Sequence, residues 1–249
     1  MPDTPIYYRA TNLVTDPMTI EIPNEALPFI LLQRTGLQRL NFRFLRKLGV
    51  SYHPRLCGWE CRCRGAAIRR DFAASILHDY EQIRAHLPER AGTILDIGCG
   101  VAGIDVALHR HYAAQPPQFR LLDKSAVSER VYYDFHAAAA FYNSLEAASR
   151  VLTCNGVAAA AIQRFEATEE NTIPLADGGA DLILSLISWG FHYPVATYLR
   201  EAARVLAPGG AMILDVRRDS GGLEELRASF PSLATISEQP KFLRVCARR

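Results

Sequence analysis

Hydrophobic and polar positions along the chain form two alternating patterns that predict an α/β fold. Short, continuous apolar runs predict buried strands, and between them apolar residues recur every three to four positions, which predicts helices. The predicted strands are Thr93–Asp96, Gln118–Leu122, Val157–Gln163, Ala180–Leu186 and the run AMILDV, followed by a pair at Leu233–Glu238 and Phe242–Ala247. Strands that alternate with helices in this way are typical of a mostly parallel sheet with helices on both faces.

The first part of the chain differs from the rest. Five prolines fall within residues 1–30, too many for a long helix, so an extended arm is predicted there. Arg34–Leu48 and Ala67–Leu87 then carry helical periodicity, and Pro88 ends the second of these helices. We therefore predict two regions, an N-terminal arm and basic cap over residues 1–70 and a main α/β domain over residues 71–249.

The stretch Thr93–Leu108 carries the strongest chemical signal. A buried strand ends in an acid, a glycine-rich turn follows, and a helix begins directly after it; the residues concerned are Asp96, Gly98, Cys99, Gly100 and Gly103. Glycines let the backbone turn sharply and approach a ligand closely, and the helix N-terminus offers free N–H groups. Because two anions repel each other, the acid disfavours a pyrophosphate ligand and favours one that carries a cationic amine and hydroxyls.

The sequence LDIGCG resembles motif I of the class I S-adenosylmethionine-dependent methyltransferases. The resemblance extends from about Pro88 to Arg249 and includes the block LADGGADLILS and the turn APGG. It implies S-adenosylmethionine as the cofactor and a Rossmann-like fold, with a seven-stranded, mostly parallel sheet whose last strand is antiparallel. One departure is Ala102, where many members have glycine; the adjacent Gly103 is expected to supply the backbone freedom instead.

The resemblance also implies roles for residues outside the glycine turn. Asp123 ends the second predicted strand, where a carboxylate can accept hydrogen bonds from both ribose hydroxyls. Glu166 resembles the acidic position after the third strand that contacts the adenine amino group. On the helix before motif I, Arg69, Arg70 and Tyr80 are candidates for contact with the methionine carboxylate. The implied cofactor-binding set is Asp96, Gly98, Cys99, Gly100, Gly103, Asp123, Lys124, Glu166 and Ser185.

His192 is the candidate catalytic residue. It lies in SWGFHYP, directly after the fourth predicted strand, at the edge of a parallel sheet that faces ligands. Its imidazole titrates near neutral pH, so we predict that it removes a hydroxyl proton from the acceptor as a general base during methyl transfer. A purely structural role is the alternative. The expected reaction is O-methylation of a small molecule or a sugar hydroxyl.

The charge distribution leaves further alternatives for the acceptor. Between Arg34 and Arg70 the chain has ten basic residues and one acid, although its net charge is only +2. A basic cap suits an anionic small acceptor, and it also suits RNA or protein methylation with docking through this segment. Nucleic acid ranks lower, because no aromatic residues interleave with the charge. The non-enzymatic alternative is a catalytically silent, methyltransferase-like activator subunit.

Composition indicates a globular protein, with 49% hydrophobic and 22% charged residues. No apolar run approaches the ~20 residues of a membrane span, and the N-terminus lacks a signal-peptide pattern, so a cytoplasmic location is expected. Four soft ligands, His53, Cys57, Cys61 and Cys63, could close a metal site. Their spacing matches no strong zinc pattern, so no bound metal is predicted. The sequence does not fix the oligomeric state.

Overall fold

A computed structural model describes residues 19–39, 54–125 and 143–249 of the 249-residue chain. These residues contain six α-helices and eight strands. The helices are α1 (Leu27–Gln33), α2 (Pro54–Ile83), α3 (Gly103–His111), α4 (Leu145–Cys154), α5 (Ala196–Val205) and α6 (Gly222–Ser229). The strands are β1 (Thr93–Ile97), β2 (Gln118–Asp123), β3 (Ile162–Glu166), β4 (Ala180–Ser185), β5 (Ser188–Tyr193), β6 (Leu206–Arg217), β7 (Ser232–Glu238) and β8 (Phe242–Arg248).

Seven of the strands form one sheet in the order β3-β2-β1-β4-β6-β8-β7. The first five in this order are parallel to one another, β8 is antiparallel to β6, and β7 is antiparallel to β8. β5 lies outside the order and runs beside β6, so close that a Cβ on Gly190 would lie 2.8 Å from Asp215 O. The predicted seven-stranded, mostly parallel sheet with an antiparallel last strand is confirmed.

Both faces of the sheet are buried, because successive residues of a strand enter different hydrophobic clusters. In β1, Ile94 belongs to the cluster that includes α1 to α4, whereas Leu95 belongs to the cluster that includes α5 and α6. Burial on both faces explains why the central strands are continuous apolar runs rather than alternating ones. The carboxyl ends of β1, β2 and β4 meet at one edge of the sheet, where the candidate site lies.

Several elements differ from the sequence prediction, and one of them is β5, a strand that was not predicted. β3 begins at Ile162 rather than Val157, because the alanines before it, which favour helical backbone, form a short 3-10 turn at Ala159–Ala161. α2 begins by Pro54 and continues without a break through residue 70, the predicted domain boundary. The predicted helix from Arg34 contains a short 3-10 turn near its start, and residues 40–48 of it lie outside the described residues.

None of the helices within the described ranges combines the length and the apolar character that crossing a bilayer requires.

Candidate active site

Two glycines shape the turn after β1. Gly98 has a φ of 75° and Gly100 a φ of 55°, both in the left-handed region that favours glycine. A Cβ on Gly98 would lie 1.8 Å from Ser188 Oγ, and a Cβ on Gly100 would lie 2.8 Å from Gln33 Oε1. The turn is therefore enclosed by the start of β5 on one side and by the end of α1 on the other.

Gly103 has a different role from the predicted one. Ala102, not Gly103, takes the left-handed conformation, with a φ of 57° and a ψ of 33° at the N-cap of α3. A Cβ on Gly103 would lie 2.6 Å from Phe72 Cζ and 2.9 Å from Ile76 Cδ1. The chain thus holds a strained alanine where the resembled family often has glycine, and it uses the neighbouring glycine to bring α2 close to α3.

Asp123 fastens the glycine turn to the end of β2. Its Oδ2 accepts hydrogen bonds from Gly100 N at 2.9 Å and from Asn143 Nδ2 at 2.7 Å, and its Oδ1 accepts one from Lys124 N at 2.7 Å. Burial raises the pKa of Asp123 to about 6, and these hydrogen bonds oppose part of the rise. The three donors fix the orientation of the carboxylate beside the turn, and its predicted contact with ribose stays a prediction.

Sequence reasoning missed two amide side chains at this edge. Asn143 is buried and, besides donating to Asp123, accepts a hydrogen bond from Gln33 Nε2 at 3.2 Å. The two amides are 110 residues apart in the chain, and no local motif marks either of them. They connect the end of α1 to Asp123 across the glycine turn.

Two further carboxyl groups lie behind the turn. Asp96 of β1 is 3% exposed, and Asp105, in the first turn of α3, is 0% exposed. Burial raises the pKa of Asp105 to about 7. Burial also raises the pKa of Asp96 well above its usual value, and the charges of Asp105 and Asp123 add to this rise. The thiol of Cys99 beside them is buried as well, which raises its pKa. This acidic environment suits a cationic ligand and disfavours a phosphate.

The other predicted cofactor residues lie around the same edge. Glu166 is opposite Asp123 in the β2–β3 register, is exposed, and accepts a hydrogen bond from Ser125 N at 2.6 Å. Ser185 is buried and donates from Oγ to Ile97 O at 2.8 Å, which ties the end of β4 to the end of β1. The sheet thus brings both residues to the predicted edge, and their contacts with a cofactor stay predictions.

The predicted catalytic residue, His192, lies on β5. Its side chain keeps an exposed surface, and its ring meets Phe191 edge-on with 4.9 Å between the ring centroids. Burial by neighbouring atoms lowers the pKa of His192, and the charge of Arg217 lowers it further. The next residue, Tyr193, lies within electrostatic range of Asp123, because burial and then that carboxylate raise the tyrosine's pKa. β5 therefore carries a neutral imidazole and, beside it, a phenol close to the glycine turn.

The three residues on α2 that are candidates for binding the methionine carboxylate each contact another group of the protein. Arg69 donates from Nε to a backbone carbonyl before α1 at 2.8 Å, and Arg70 is exposed and pairs with Asp71. Tyr80 Oη lies 2.9 Å from His111 Nδ1 at the C-terminal end of α3. Tyr80 thus contacts the end of α3 opposite to the glycine turn, and its contact with the methionine carboxylate stays a prediction.

The cysteines at the start of α2 do not converge on one point. Cys57 is buried, Cys61 is half-buried and Cys63 is exposed, while His53 lies outside the described residues. A hydrogen bond from Cys57 is the main reason why the pKa of the Cys61 thiol is lowered. In the part of the chain that the structure describes, no group of three or more His, Cys, Asp or Glu side chains is placed to hold a metal ion.

Comparison with protein families gave a match to a family model described as a methyltransferase domain, over residues 95–214. The matched span begins in β1 and ends in β6, so it contains the glycine turn, Asp123 and the segment with His192. Comparison with curated protein sequences gave no match.

Several solved structures are similar in fold. Geranyl diphosphate C-methyltransferase of Streptomyces coelicolor A3(2), solved with Mg²⁺, geranyl diphosphate and S-adenosyl-L-homocysteine, has a TM-score of 0.50 and 12% identity, over 70% of this chain and 79% of that one. A SAM-dependent methyltransferase of Aquifex aeolicus has a TM-score of 0.47 and 18% identity, over 68% and 88%. A putative S-adenosyl-L-methionine-dependent methyltransferase of Methanococcus maripaludis has a TM-score of 0.43 and 20% identity, over 70% and 84%. At these identities the similarity concerns the fold alone.

The site has the chemistry that S-adenosylmethionine requires. Buried carboxylates at the ends of β1 and β2 suit an ammonium group and ribose hydroxyls, and the glycine turn presents backbone without side chains. This agrees with the sheet order and with the methyltransferase family match. S-adenosylmethionine is therefore the cofactor, as predicted, and the resemblance of the chain to the class I S-adenosylmethionine-dependent methyltransferases is confirmed.

Proposed function

We propose that this methyltransferase acts on a hydroxyl oxygen of a small molecule or a sugar, with His192 as the general base. The observation that carries the proposal is the state of His192, which keeps an exposed surface on β5, directly after β4, and has a pKa below its ordinary value. A histidine with a lowered pKa is neutral at neutral pH, so it is ready to accept a proton.

The bound cofactor supplies a methyl group that its sulfonium already activates. The residues of the protein have two tasks, to hold the acceptor in line with that methyl group and to accept a proton. The cofactor would give this methyl group to the acceptor oxygen, and the electrons of its sulfur–carbon bond would remain on sulfur. The hydroxyl proton moves to His192. Because Asp123 is fixed by three hydrogen bonds, it would hold the adenosine end in one position.

Three arginines of the basic segment, within the part that the structure describes, make internal contacts, which supports a small acceptor over docking of RNA or protein. Arg34 hydrogen-bonds Asp79, Arg64 pairs with Glu60, and Arg69 donates to the backbone before α1. Arginines that already make internal contacts are less available to neutralise phosphates of a nucleic acid. This supports an acceptor that enters the site itself. The experiment below tests the alternative, a catalytically silent activator subunit.

A screen of hydroxylated small molecules and sugars with labelled methyl donor tests the proposal. Once the screen has identified an acceptor, His192→Gln should lower kcat for that acceptor about 10²–10⁴-fold and leave the cofactor's Kd unchanged. The control is His86→Gln, in the short turn before β1, which should keep wild-type turnover. Unchanged turnover of His192→Gln would refute the role of His192 as the general base. Transfer to RNA or protein alone would replace the acceptor class, and cofactor binding without transfer to any acceptor would favour the silent subunit.

A further inference from the structure

Asp105 is a buried carboxyl group that the site described so far does not use. It is 0% exposed, and among the described residues neither of its carboxylate oxygens has a hydrogen-bond donor. Buried polar groups are almost always hydrogen-bonded, because an unpaired one is costly. The carboxyl group of Asp105 faces that of Asp96, and the two can form a hydrogen bond when one of them is protonated. We call Asp96 and Asp105 the acid pair.

On the sheet side, the groups around the acid pair are negative or neutral. β2 contributes the charge of Asp123, and Glu166 of β3 acts on Asp123 in turn. The turn contributes the buried thiol of Cys99, whose raised pKa keeps it neutral. The charges on this side therefore oppose ionisation of the acid pair.

On the helix side, α2 faces the start of α3 with the apolar side chains of Phe72 and Ile76. Arg34 lies over the Phe72 ring, with its Cζ 5.3 Å from the ring centroid, and its guanidinium donates to Ser75 and Asp79. α4, the other helix beside α3, contributes buried apolar residues to the same cluster. The neighbours of the acid pair named here, all within the described residues, are thus apolar groups and further acids.

Two carboxyl groups in one buried space resist double ionisation, so the acid pair keeps one proton near neutral pH. The pKa of Asp105, which burial raises to about 7, agrees with this. The start of a helix favours the ionised form of a carboxylate, and Asp105 lies in the first turn of α3. The shared proton is therefore held mainly by Asp96, the member of the pair that is predicted to bind the cofactor.

We propose that Asp105 is a positioning residue of the cofactor site, and that the acid pair releases its shared proton when the ammonium group of the cofactor's amino acid binds beside Asp96. An adjacent cation stabilises the second ionisation, and the fully ionised pair attracts the ammonium more strongly. One O–H bond of a carboxyl group breaks, and the proton passes to solvent as the cation arrives. The proposal rests on the cofactor of the family and is independent of the acceptor and of His192.

Isothermal titration calorimetry with S-adenosyl-L-homocysteine, in buffers of different ionisation enthalpy at about pH 6.5, counts the protons released. Wild type should release about one-half to one proton more than Asp105→Asn, because the amide introduced by that substitution donates to Asp96 without a titrating proton. The ligand's own α-amino group, with a pKa of about 7.7–8.0, contributes equally to both proteins. Between about pH 6 and 7, wild-type affinity should rise relative to the variant by up to about tenfold.

The matched ligand control is 5′-methylthioadenosine, which has the adenosine and the thioether but no amino group, so it should release no proton from either protein. Equal proton release by wild type and Asp105→Asn with S-adenosyl-L-homocysteine would overturn the proposal. If the variant does not fold, NMR of wild type labelled with ¹³C at the aspartate carboxyl groups tests the proposal instead. An aspartate that titrates near neutral pH in the free protein but not in the complex supports the proposal. The absence of such an aspartate refutes it. Failure of both ligands to bind would instead overturn the cofactor assignment.

Discussion

Two buried groups of aspartates in this protein differ in whether an arginine accompanies them. Asp79 of α2 and Asp215 of β6 both contact Arg244 of β8, and we call these three residues the arginine cluster. The distances are 2.7 Å from Arg244 Nε to Asp215 Oδ1, 2.9 Å from Nη2 to Asp215 Oδ2, and 3.0 Å from Nη1 to Asp79 Oδ1. The charges that act on Asp96 of the acid pair are, in contrast, those of other acids.

The difference indicates that the charges of the arginine cluster are neutralised within the protein, whereas those of the acid pair are not neutralised by an arginine of the cluster. Burial acts to lower the pKa of Arg244, but its two carboxylate partners outweigh burial and raise that pKa, so the arginine stays charged. Asp215 Oδ2 also accepts a hydrogen bond from Ile187 N at 3.0 Å, in the turn that leads from β4 to β5. The arginine cluster therefore holds the strand that carries His192, whereas the charges that act on Asp96 are those of other acids, which favours a positive charge from a ligand.

Removal of the arginine should have the largest effect. Arg244→Met would leave Asp215 buried without its cation and Asp79 with only the longer contact to Arg34, which should cost about 3–5 kcal/mol of the free energy of unfolding. Urea denaturation measures this loss. The control is Arg218→Met, whose ion pair with Glu238 is largely exposed and should contribute less than about 1 kcal/mol. Similar small losses in both variants would contradict the view that the cluster depends on its arginine.

Removal of an acid at the other site should impair ligand binding instead. Asp123→Ala should weaken binding of S-adenosyl-L-homocysteine at least about 100-fold, because hydrogen bonds to a charged group contribute about 1.5–3 kcal/mol each. Calorimetry measures the affinity, and thermal denaturation shows whether the variant is folded. Glu89→Ala, at an exposed position, should bind as wild type does. Near-normal affinity of a folded Asp123→Ala would refute the ribose contact.

The acid pair should also make the ligand-free protein less stable as pH rises. The folded-state pKa values of Asp96 and Asp105 are raised, that of Asp105 to about 7. Between about pH 4 and pH 7 the folded state therefore keeps a proton that the unfolded chain has released, and the free energy of unfolding falls by up to about 1.4 kcal/mol per pH unit. Above about pH 7 the contribution of Asp105 to this fall levels off.

Asp105→Asn should remove this part of the slope and should be more stable than wild type at about pH 7.5. Urea denaturation from about pH 5 to 7.5 compares the two proteins, and groups such as Asp123 contribute equally to both. Identical slopes would show that Asp96 and Asp105 do not share a proton in the free protein.

The smallest expected effect concerns backbone strain next to the acid pair. Ala102→Gly should stabilise the protein by about 0.5–1 kcal/mol, because a left-handed alanine costs about 1–2 kcal/mol and the greater freedom of glycine in the unfolded chain offsets only part of the gain. Thermal denaturation measures it. Gly103→Ala should have the opposite sign, since its Cβ would collide with Phe72. A loss of stability in Ala102→Gly would show that Ala102 is unstrained.

Local patterns were sufficient for the strands that carry the site. β1, β2 and β4 lie within one residue of their predicted bounds, because each is an apolar run between polar or glycine residues. The start of β3 was predicted too early, since the alanines before Ile162 are compatible with either strand or helix. The exchange of roles between Ala102 and Gly103 was missed as well, because φ depends on the turn and the reach of Phe72 depends on how α2 packs.

The sequence by itself determined the alternation of strands and helices, the glycine turn, the acids at the ends of β1 and β2, and hence the resemblance to the methyltransferases and the cofactor. Only the tertiary structure decided which aspartates are neutralised. Arg244 is 29 residues from Asp215 and 165 residues from Asp79, while Asp105 lies in a helical turn that no motif distinguishes. Charge pairing and burial depend on distances through space, which the packing of the whole chain sets and a local pattern does not contain.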